Sequence, residues 1–238
     1  MSGSLRVQLE LGERELVAIV GAGGKSTVLF TLASELAADN HRVVLTTTTK
    51  MAQDQVTEPA CWSANPDDVE RTLGPGVPLF VASGTVPGKV TGPSPEEVDR
   101  VFEETTVDYV AVEADGARSM SIKAPADHEP AIPSRSTLVV IVVGIDAVGR
   151  PVRDVAHRPE RIEAITGLPA DAVVTVADAA GILLHPEGGF KHIPDTARVA
   201  IAITKITPAT RQVAASLKTI LAANPRVDHV VALPLAAR

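Results

Sequence analysis

Cysteine and aromatic residues are scarce in this chain. Cys61 is the single cysteine among 238 residues, so no disulfide can form within the chain and a zinc site built from several cysteines is excluded. Aromatic residues make up 3% of the sequence, whereas hydrophobic residues make up 45%. The core must therefore consist mainly of Ala, Val, Leu and Ile, a composition typical of parallel strands covered by helices.

Long apolar runs and basic clusters are also lacking. The most apolar run, residues 138–143, is far shorter than the roughly 20 residues that span a bilayer. Residues 1–6 lack the apolar core of a signal peptide. Lys and Arg number 22 against 29 for Asp and Glu, which gives a net charge of −7 without any basic run. We therefore expect a cytoplasmic protein with neither a membrane nor a nucleic acid as partner.

Strand and helix patterns alternate along the chain. Residues 16–20 form an apolar run that stops at Gly21, a helical pattern follows to about residue 38, and a second strand begins at residue 42. Further strands are expected at residues 79–82, 108–113, 137–143, 199–203 and 228–233, and further helices at residues 66–73, 94–104, 157–166 and 175–184 and from residue 207. This order predicts an α/β three-layer sandwich with a mostly parallel sheet.

The domain boundaries follow from the same pattern. We expect a single domain over residues 1–238, with a small helical insertion at about residues 145–195. Residues 117–135 carry three prolines and many polar side chains, so they are interpreted as an ordered surface loop.

A glycine-rich loop after the first strand is the strongest functional signal. Its residues are Gly21, Ala22, Gly23, Gly24, Lys25, Ser26 and Thr27. Glycines let backbone N–H groups approach phosphate oxygens, and the following helix adds the positive end of its dipole. In such a loop Lys25 reaches the β- and γ-phosphates, the Ser26 hydroxyl ligates Mg²⁺ and Thr27 contacts the α-phosphate. The sequence thus predicts a P-loop NTPase-like fold that binds a nucleoside triphosphate with Mg²⁺.

This loop is a short form of the phosphate-binding motif. The usual pattern has a further glycine where this chain has Ile19. The short form resembles the loop of Mur ligases and folylpolyglutamate synthetase. A glycine-rich turn with an incidental lysine is the structural alternative.

An acidic strand end is the second signal. Glu113 follows an apolar strand, where phosphate-loop proteins place an acid that holds magnesium. Asp115 lies two residues further, so strand alternation puts it on the same side, where it would orient a nucleophile or bind a second metal. Gly116 can offer its N–H to the γ-phosphate. A solvated strand end is the alternative.

Polar residues in other segments are candidates for substrate or lid contacts. Thr47, Thr49 and Lys50 follow the second strand, at the edge where open α/β sheets bind ligands. The remaining candidates lie in connecting segments and are Lys123, His128, Glu129, His157 and Arg158. Threonine also favours strands, and a lone histidine or arginine in a loop is usually solvated, so structural roles stay open for all of them.

The base preference rests on one segment after a late strand. Thr204-Lys205-Ile206-Thr207 occupies the place where many GTPases carry an Asp that binds the guanine edge, and Thr207 lacks that charge. Thr207 suits the N-cap before Pro208 instead. We therefore expect ATP at least as readily as GTP.

Five strings in this order carry a family resemblance: VGAGGKST at residues 20–27, TTTTKM at 46–51, VEADGA at 112–117, KAPADHEP at 123–130 and HRPE at 157–160. The chain resembles the YqeC family, accessory proteins for selenium-dependent molybdenum hydroxylases. The resemblance implies a phosphate-loop protein that assists maturation of such a hydroxylase, with that enzyme or its cofactor precursor as partner. A weaker likeness is to nickel-insertion and cobalamin-chaperone GTPases, which also use Glu-x-x-Gly after the strand.

Three functions remain open at this point. The first is a Mg²⁺-dependent NTPase that drives a cofactor maturation step, with Lys25, Glu113 and Asp115 as catalytic residues. The second is an ATP-dependent ligase or kinase that acts on a cofactor precursor, although no second ligase domain is recognisable. The third is a nucleotide-gated chaperone or scaffold with little turnover.

Overall fold

A computed structural model describes residues 3–234, so Met1, Ser2 and residues 235–238, including the start of the segment tested for a signal peptide, lie outside the described residues. The strands, in chain order, are β1 (Glu15–Gly21), β2 (Val43–Thr47), β3 (Lys50–Ala52), β4 (Ala60–Cys61), β5 (Leu79–Val81), β6 (Gly84–Val86), β7 (Lys89–Thr91), β8 (Tyr109–Glu113), β9 (Ile122–Lys123), β10 (Leu138–Gly144), β11 (Ala156–His157), β12 (Arg198–Ile206) and β13 (His229–Pro234). The helices are α1 (Leu5–Gln8), α2 (Lys25–Ala38), α3 (Pro66–Thr72), α4 (Pro95–Glu104), α5 (Val152–Val155), α6 (Pro159–Thr166), α7 (Val176–Leu184) and α8 (Arg211–Ala222).

The main sheet carries the functional end of the molecule. Within residues 3–234 it has eight strands, all parallel, in the order β13-β12-β10-β1-β8-β2-β5-β4. Every residue of β10 is buried, as expected for a central strand whose two faces are both covered. The predicted fold class, an α/β sandwich with a mostly parallel sheet, is confirmed.

Alternate residues of β1 face two different helical layers. Leu16, Ala18 and Val20 belong to the apolar cluster that includes residues of α3, α4, α7 and α8, whereas Val17 and Ile19 belong to the cluster that includes residues of α1 and α2. Successive side chains of a strand point to opposite faces of the sheet. Because all strands run the same way, their carboxyl ends meet at one edge, where β1 passes into the glycine loop.

Two helices begin with reciprocal side-chain caps. At α4 the Ser94 hydroxyl accepts from the Glu97 N–H (3.2 Å) and the Glu97 carboxylate accepts from the Ser94 N–H (2.7 Å). Loss of such a cap typically costs about 1 kcal/mol. Helix α7 has the same arrangement between Thr175 and Asp178. Both helices lie on the layer that faces away from α2.

Residues 117–135 are not the surface loop that we expected. Residues 121–126 are buried, and β9 pairs in parallel with β11, Lys123 opposite His157. Prolines and charges suggested exposure, but ion pairs allow Lys123 and Glu129 to be buried here. The sequence also did not predict the antiparallel sheet β3-β7-β6.

The segment between β10 and β12 contains three α-helices. Residues 145–195 contain α5, α6 and α7 and connect the neighbouring parallel strands β10 and β12. Cys61 is buried in β4, and its thiol donates to the Ser63 carbonyl (3.2 Å). No helix in the described part of the chain is both long and apolar enough to cross a bilayer.

Candidate phosphate-binding site

The glycine loop lies between β1 and α2 and packs directly against the end of β10. Gly21, Gly23 and Gly24 have φ angles of +92°, +88° and +128°, a backbone region that residues other than glycine rarely adopt. A Cβ on Gly23 would lie 2.3 Å from the Gly144 nitrogen. The Ala22 N–H donates to the Val142 carbonyl (2.9 Å). The glycines therefore permit both the turn and the close contact with β10.

The loop presents unused backbone donors. Within residues 3–234, no acceptor contacts the N–H groups of residues 23–27. They precede or open the first turn of α2, where N–H groups have no partner inside the helix and the helix dipole is positive. Such a row of donors is suited to an anion.

Lys25 is buried at the end of the glycine loop. Its side chain is 4% exposed, and its ammonium donates to the Gly21 carbonyl (3.0 Å). It also lies 3.3 Å from Asp115 Oδ1 and 3.7 Å from Glu113 Oε1. The carboxylates explain the burial, because an ammonium is stable away from water only when charged or polar groups surround it.

Ser26 and Glu113 lie within hydrogen-bond distance of each other, and both carry oxygens that a cation can bind. The Ser26 hydroxyl donates to Glu113 Oε2 over 2.9 Å. Burial raises the pKa of Glu113, while Lys25 and the Ser26 hydrogen bond oppose that shift and Asp115 adds to it. Hydroxyl and carboxylate oxygens are ligands that Mg²⁺ accepts. These two residues, on the loop and on the neighbouring strand β8, fit the predicted metal position.

Asp115 connects the loop to a second set of charges. Its Oδ2 accepts from the Gly21 N–H (3.0 Å) and lies 2.9 Å from Lys123 Nζ. Its Oδ1 is buried without a hydrogen-bond partner, since the Lys25 ammonium at 3.3 Å is not aligned to donate. Glu113 and Asp115 both face Lys25, the common side that strand alternation predicts.

Next to Asp115, buried Lys123 and Glu129 and half-buried Arg158 form a chain of ion pairs. Lys123 Nζ contacts Glu129 Oε2 (2.8 Å) and the Gly116 carbonyl (2.7 Å). Arg158 donates to both Glu129 oxygens (2.6 and 3.0 Å). Burial alone would raise the pKa of Glu129, but hydrogen bonds from Arg158 and Lys123 lower it to about 2. We expected Lys123 and Glu129 as substrate or lid contacts, whereas the structure uses both inside the protein.

Threonines at the end of β2 mainly hold neighbouring segments together. The Thr47 hydroxyl donates to the Glu113 carbonyl (2.8 Å) and lies 3.2 Å from the Thr49 hydroxyl. The Thr48 hydroxyl donates to the Ala131 carbonyl (2.7 Å). Lys50 is exposed in β3. Thr47 thus joins β2 to the strand end that carries Glu113.

The two candidate histidines differ in environment. His128 is exposed, whereas His157 is half-buried in β11. Burial, followed by the nearby charges of Arg158 and Lys123, lowers the pKa of His157 and so favours the neutral imidazole. His157 lies opposite Lys123 in the pairing of β11 with β9, beside the ion pairs of Lys123.

Residues at the end of β12 and β10 support the loop from the other side. The Thr204 hydroxyl lies within hydrogen-bond distance of the carbonyl oxygens of Gly23 and Val143. Lys205 Nζ donates to the Ser121 hydroxyl (2.7 Å) and Asp146 Oδ2 (3.0 Å). Sequence reasoning considered Thr204 and Lys205 only for base recognition and missed Ser121 and Asp146. For Asp146 the available signal was its position just after the parallel strand β10, whereas no such signal pointed to Ser121.

Strand β1, the glycine loop, α2 and the acid that ends β8 together define the fold of a phosphate-loop α/β protein. A family model described as "YqeC protein" matches residues 17–160, a range that includes the glycine loop and the ion pairs of Lys123. A protein of Escherichia coli (strain K12) described as "Uncharacterized protein YqeC" is 34% identical over 214 residues, which cover 87% of this chain and 84% of the relative. The chain belongs to the YqeC family, as its motifs indicated.

A solved structure described as "Structure of pNOB8 ParA bound to nonspecific DNA" is a more distant match. It has a TM-score of 0.45 and 16% sequence identity, with 94% of this chain and 86% of that chain covered. A likeness of this size carries no argument about function.

Proposed function

We propose that this protein binds a nucleoside triphosphate with Mg²⁺ at residues 21–27. The observation that carries the proposal is the row of backbone N–H groups from residues 23 to 27 without an acceptor within residues 3–234. The Lys25 ammonium lies beside this row and donates one hydrogen bond, to the Gly21 carbonyl. An ammonium has three donors, so phosphate oxygens can accept the others once Lys25 leaves the carboxylates.

Ser26 and Glu113 are the residues that would hold the magnesium ion. Their oxygens are 2.9 Å apart, so an ion entering there would replace the hydrogen bond between them. No cluster of three or more His, Cys, Asp or Glu side chains suited to a metal occurs in the described chain. Mg²⁺ typically uses one or two protein ligands together with substrate phosphates and water, which agrees with this sparse set. The ion would neutralise charge on the transferred phosphate.

Hydrolysis of the triphosphate is the reaction that we propose. Asp115 lies in the same charged cluster as Lys25 and Glu113, where a carboxylate can orient the attacking water. Sites of this kind act mainly by positioning and by stabilising charge. We further propose, from the family resemblance, that turnover supports maturation of a selenium-dependent molybdenum hydroxylase. The base is proposed to be adenine, because Thr207 caps the turn at Pro208 and carries no charge.

A nucleotide-gated scaffold is the second candidate function. It is favoured by the contact between Lys25 and Asp115, because phosphate binding would break that contact and Asp115 is linked through Lys123 to Glu129 and Arg158. In that case nucleotide binding would change the segments that carry these residues, with slow turnover.

Thermal unfolding with ATP, GTP and CTP, each with and without Mg²⁺, tests the proposal. A ligand at a hundredfold excess over its Kd adds about 2.7 kcal/mol of stability, which for a chain of this size raises the unfolding temperature by roughly 5–10 °C. We expect the shift with ATP and Mg²⁺, and no shift for any triphosphate would contradict nucleotide binding. Measuring ADP release with water alone, with an added acceptor, or not at all then separates hydrolase, kinase or ligase, and scaffold.

A further inference from the structure

Lys123 is a buried lysine that has no direct part in the proposed phosphate binding. Its side chain is 2% exposed, and its ammonium lies 2.9 Å from Asp115 Oδ2, 2.8 Å from Glu129 Oε2 and 2.7 Å from the Gly116 carbonyl. The Gly116 carbonyl and Glu129 Oε2 accept hydrogen bonds from Lys123, and the contact with Asp115 is an ion pair. Protein oxygens thus surround the Lys123 ammonium, and its effect on a ligand would pass through the groups that it already contacts.

Asp115 contacts two lysines unequally. Oδ2 is held by Lys123 at 2.9 Å and by the Gly21 N–H at 3.0 Å. Oδ1 has no hydrogen-bond partner and lies 3.3 Å from the Lys25 ammonium. The contact with Lys123 is therefore closer than the contact with Lys25. Separating Asp115 from Lys25 should therefore require less free energy than separating it from Lys123.

We propose that Lys123 is a positioning residue for the phosphate site: it is the fixed counter-charge of Asp115, which leaves the Lys25 ammonium available to phosphate. This inference rests on the proposed nucleotide binding. Asp115 is 2% exposed, and a buried carboxylate without a cation is strongly destabilised. Without Lys123, Lys25 would be the cation in contact with Asp115, and phosphate would have to compete for it.

Charge neutrality explains why this arrangement needs Glu129 and Arg158. Lys25, Lys123 and Arg158 balance Glu113, Asp115 and Glu129 through the contacts that connect them. When Lys25 moves to phosphate, Asp115 keeps Lys123. Lys123 in turn stays in place because Glu129 accepts from it and is held on both oxygens by Arg158.

Compensating substitutions test this role in the full-length chain. The affinity for ATP with Mg²⁺ is measured by calorimetry for the wild type, Lys123→Met, Asp115→Asn and the double variant. Arg198→Met is the matched control, because it breaks an ion pair with Glu15 (2.5 Å) at the opposite end of β1. Thermal unfolding without nucleotide is recorded for every variant.

The expected pattern separates charge compensation from general support of the fold. Lys123→Met should bind ATP roughly tenfold or more weakly, the size of one lost charged hydrogen bond. The double variant should bind about as well as Asp115→Asn, since the orphaned carboxylate has been removed. Arg198→Met should bind like the wild type. Wild-type affinity in Lys123→Met, or equal weakness in Lys123→Met and the double variant, would overturn the proposal.

Two further outcomes keep this inference distinct from nucleotide binding itself. If the wild type binds no triphosphate, the proposed function fails, whereas a binding wild type with an unaffected Lys123→Met contradicts only the role of Lys123. If Lys123→Met is too unstable for calorimetry, the unfolding temperatures decide. The double variant should then unfold at a higher temperature than Lys123→Met, and an equal or lower temperature contradicts the counter-charge role.

Discussion

The glycine loop and the segment of residues 117–135 cover the same end of the sheet by different means. The loop is built from backbone: glycines with positive φ, carbonyl contacts to β10 and unused N–H groups. The segment of residues 117–135 is held by buried side-chain charges, above all Lys123 and Glu129. A backbone site tolerates changes of side chain that leave its turn intact, whereas a chain of ion pairs depends on each member.

Lys25→Ala should have the largest effect, because Lys25 belongs to both regions. It removes the ammonium that contacts phosphate, and two charged hydrogen bonds of ordinary strength correspond to a loss of affinity of about a hundredfold or more. Calorimetry with ATP and Mg²⁺ measures this loss. Because Lys25 is buried against Asp115 and Glu113, the unfolding temperature without nucleotide should also fall.

An exposed lysine provides the control for Lys25→Ala. Lys218 lies on the solvent side of α8, so Lys218→Ala should leave both affinity and unfolding temperature unchanged. Unchanged affinity in Lys25→Ala would show that the loop binds no triphosphate in the proposed manner.

Glu113→Gln and Asp115→Asn should separate binding from turnover. Glu113 contacts the Ser26 hydroxyl, so its amide variant should weaken Mg²⁺-dependent ATP binding by roughly tenfold. Asp115→Asn should bind ATP normally but turn over roughly 10²–10³-fold more slowly, as when one transition-state contact is removed. Both quantities are measured at saturating Mg²⁺. Loss of binding in Asp115→Asn with normal binding in Glu113→Gln would mean that the two roles are exchanged.

Acid titration tests the contribution of the ion pairs in residues 117–135. The pKa of Glu129 in the folded protein is about 2, below its ordinary 4.5, so ionised Glu129 stabilises the fold above pH 4.5 and this contribution is lost as the pH falls towards 2. The unfolding temperature of Glu129→Gln should therefore lie below that of the wild type at pH 7, and the difference should shrink on acidification. A difference independent of pH would contradict the ion-pair explanation.

Asp127→Asn is the matched control for the acid titration. Asp127 also pairs with an arginine, Arg161, but its side chain is 86% exposed. Exposed ion pairs contribute little, so this variant should follow the wild-type curve at all pH values.

Nucleotide preference is the smallest expected effect. Thr207 forms the cap at Pro208 with Thr210, so it offers no carboxylate to guanine, and ATP should bind at least as tightly as GTP. A preference for GTP of tenfold or more, about 1.4 kcal/mol, would point to another carboxylate. Asp146 is the first to replace, by Asn, since it lies after β10 with one oxygen on Lys205. Competition between the two nucleotides in one titration measures the ratio.

Local sequence patterns were sufficient to predict the glycine loop and the elements around it. Apolar periodicity predicted β1 and α2, the glycines predicted the loop, and strand alternation predicted that Glu113 and Asp115 face the same way. These features depend on residues close in sequence. They required no knowledge of which distant segments meet.

Contacts between side chains of distant segments could not be predicted in the same way. Glu129 and Arg158 are 29 positions apart and Thr204 and Gly23 are 181 apart, so no periodicity relates them. Prolines and charges in residues 117–135 indicated a surface loop because isolated charges are usually solvated. Burial became possible only through partners contributed by other segments, and the same reason hid the burial of Lys25.

The balance of three cations and three carboxylates limits which substitutions relatives in the family can accumulate. Replacing Lys123, Glu129 or Arg158 alone removes a partner of a buried charge and upsets this balance, so we expect a lineage to change one of them only with compensating changes at the others. Relatives should therefore inherit these positions as a block. Aligned relatives would reveal this as correlated substitution between the KAPADHEP and HRPE strings, while positions on exposed faces vary independently.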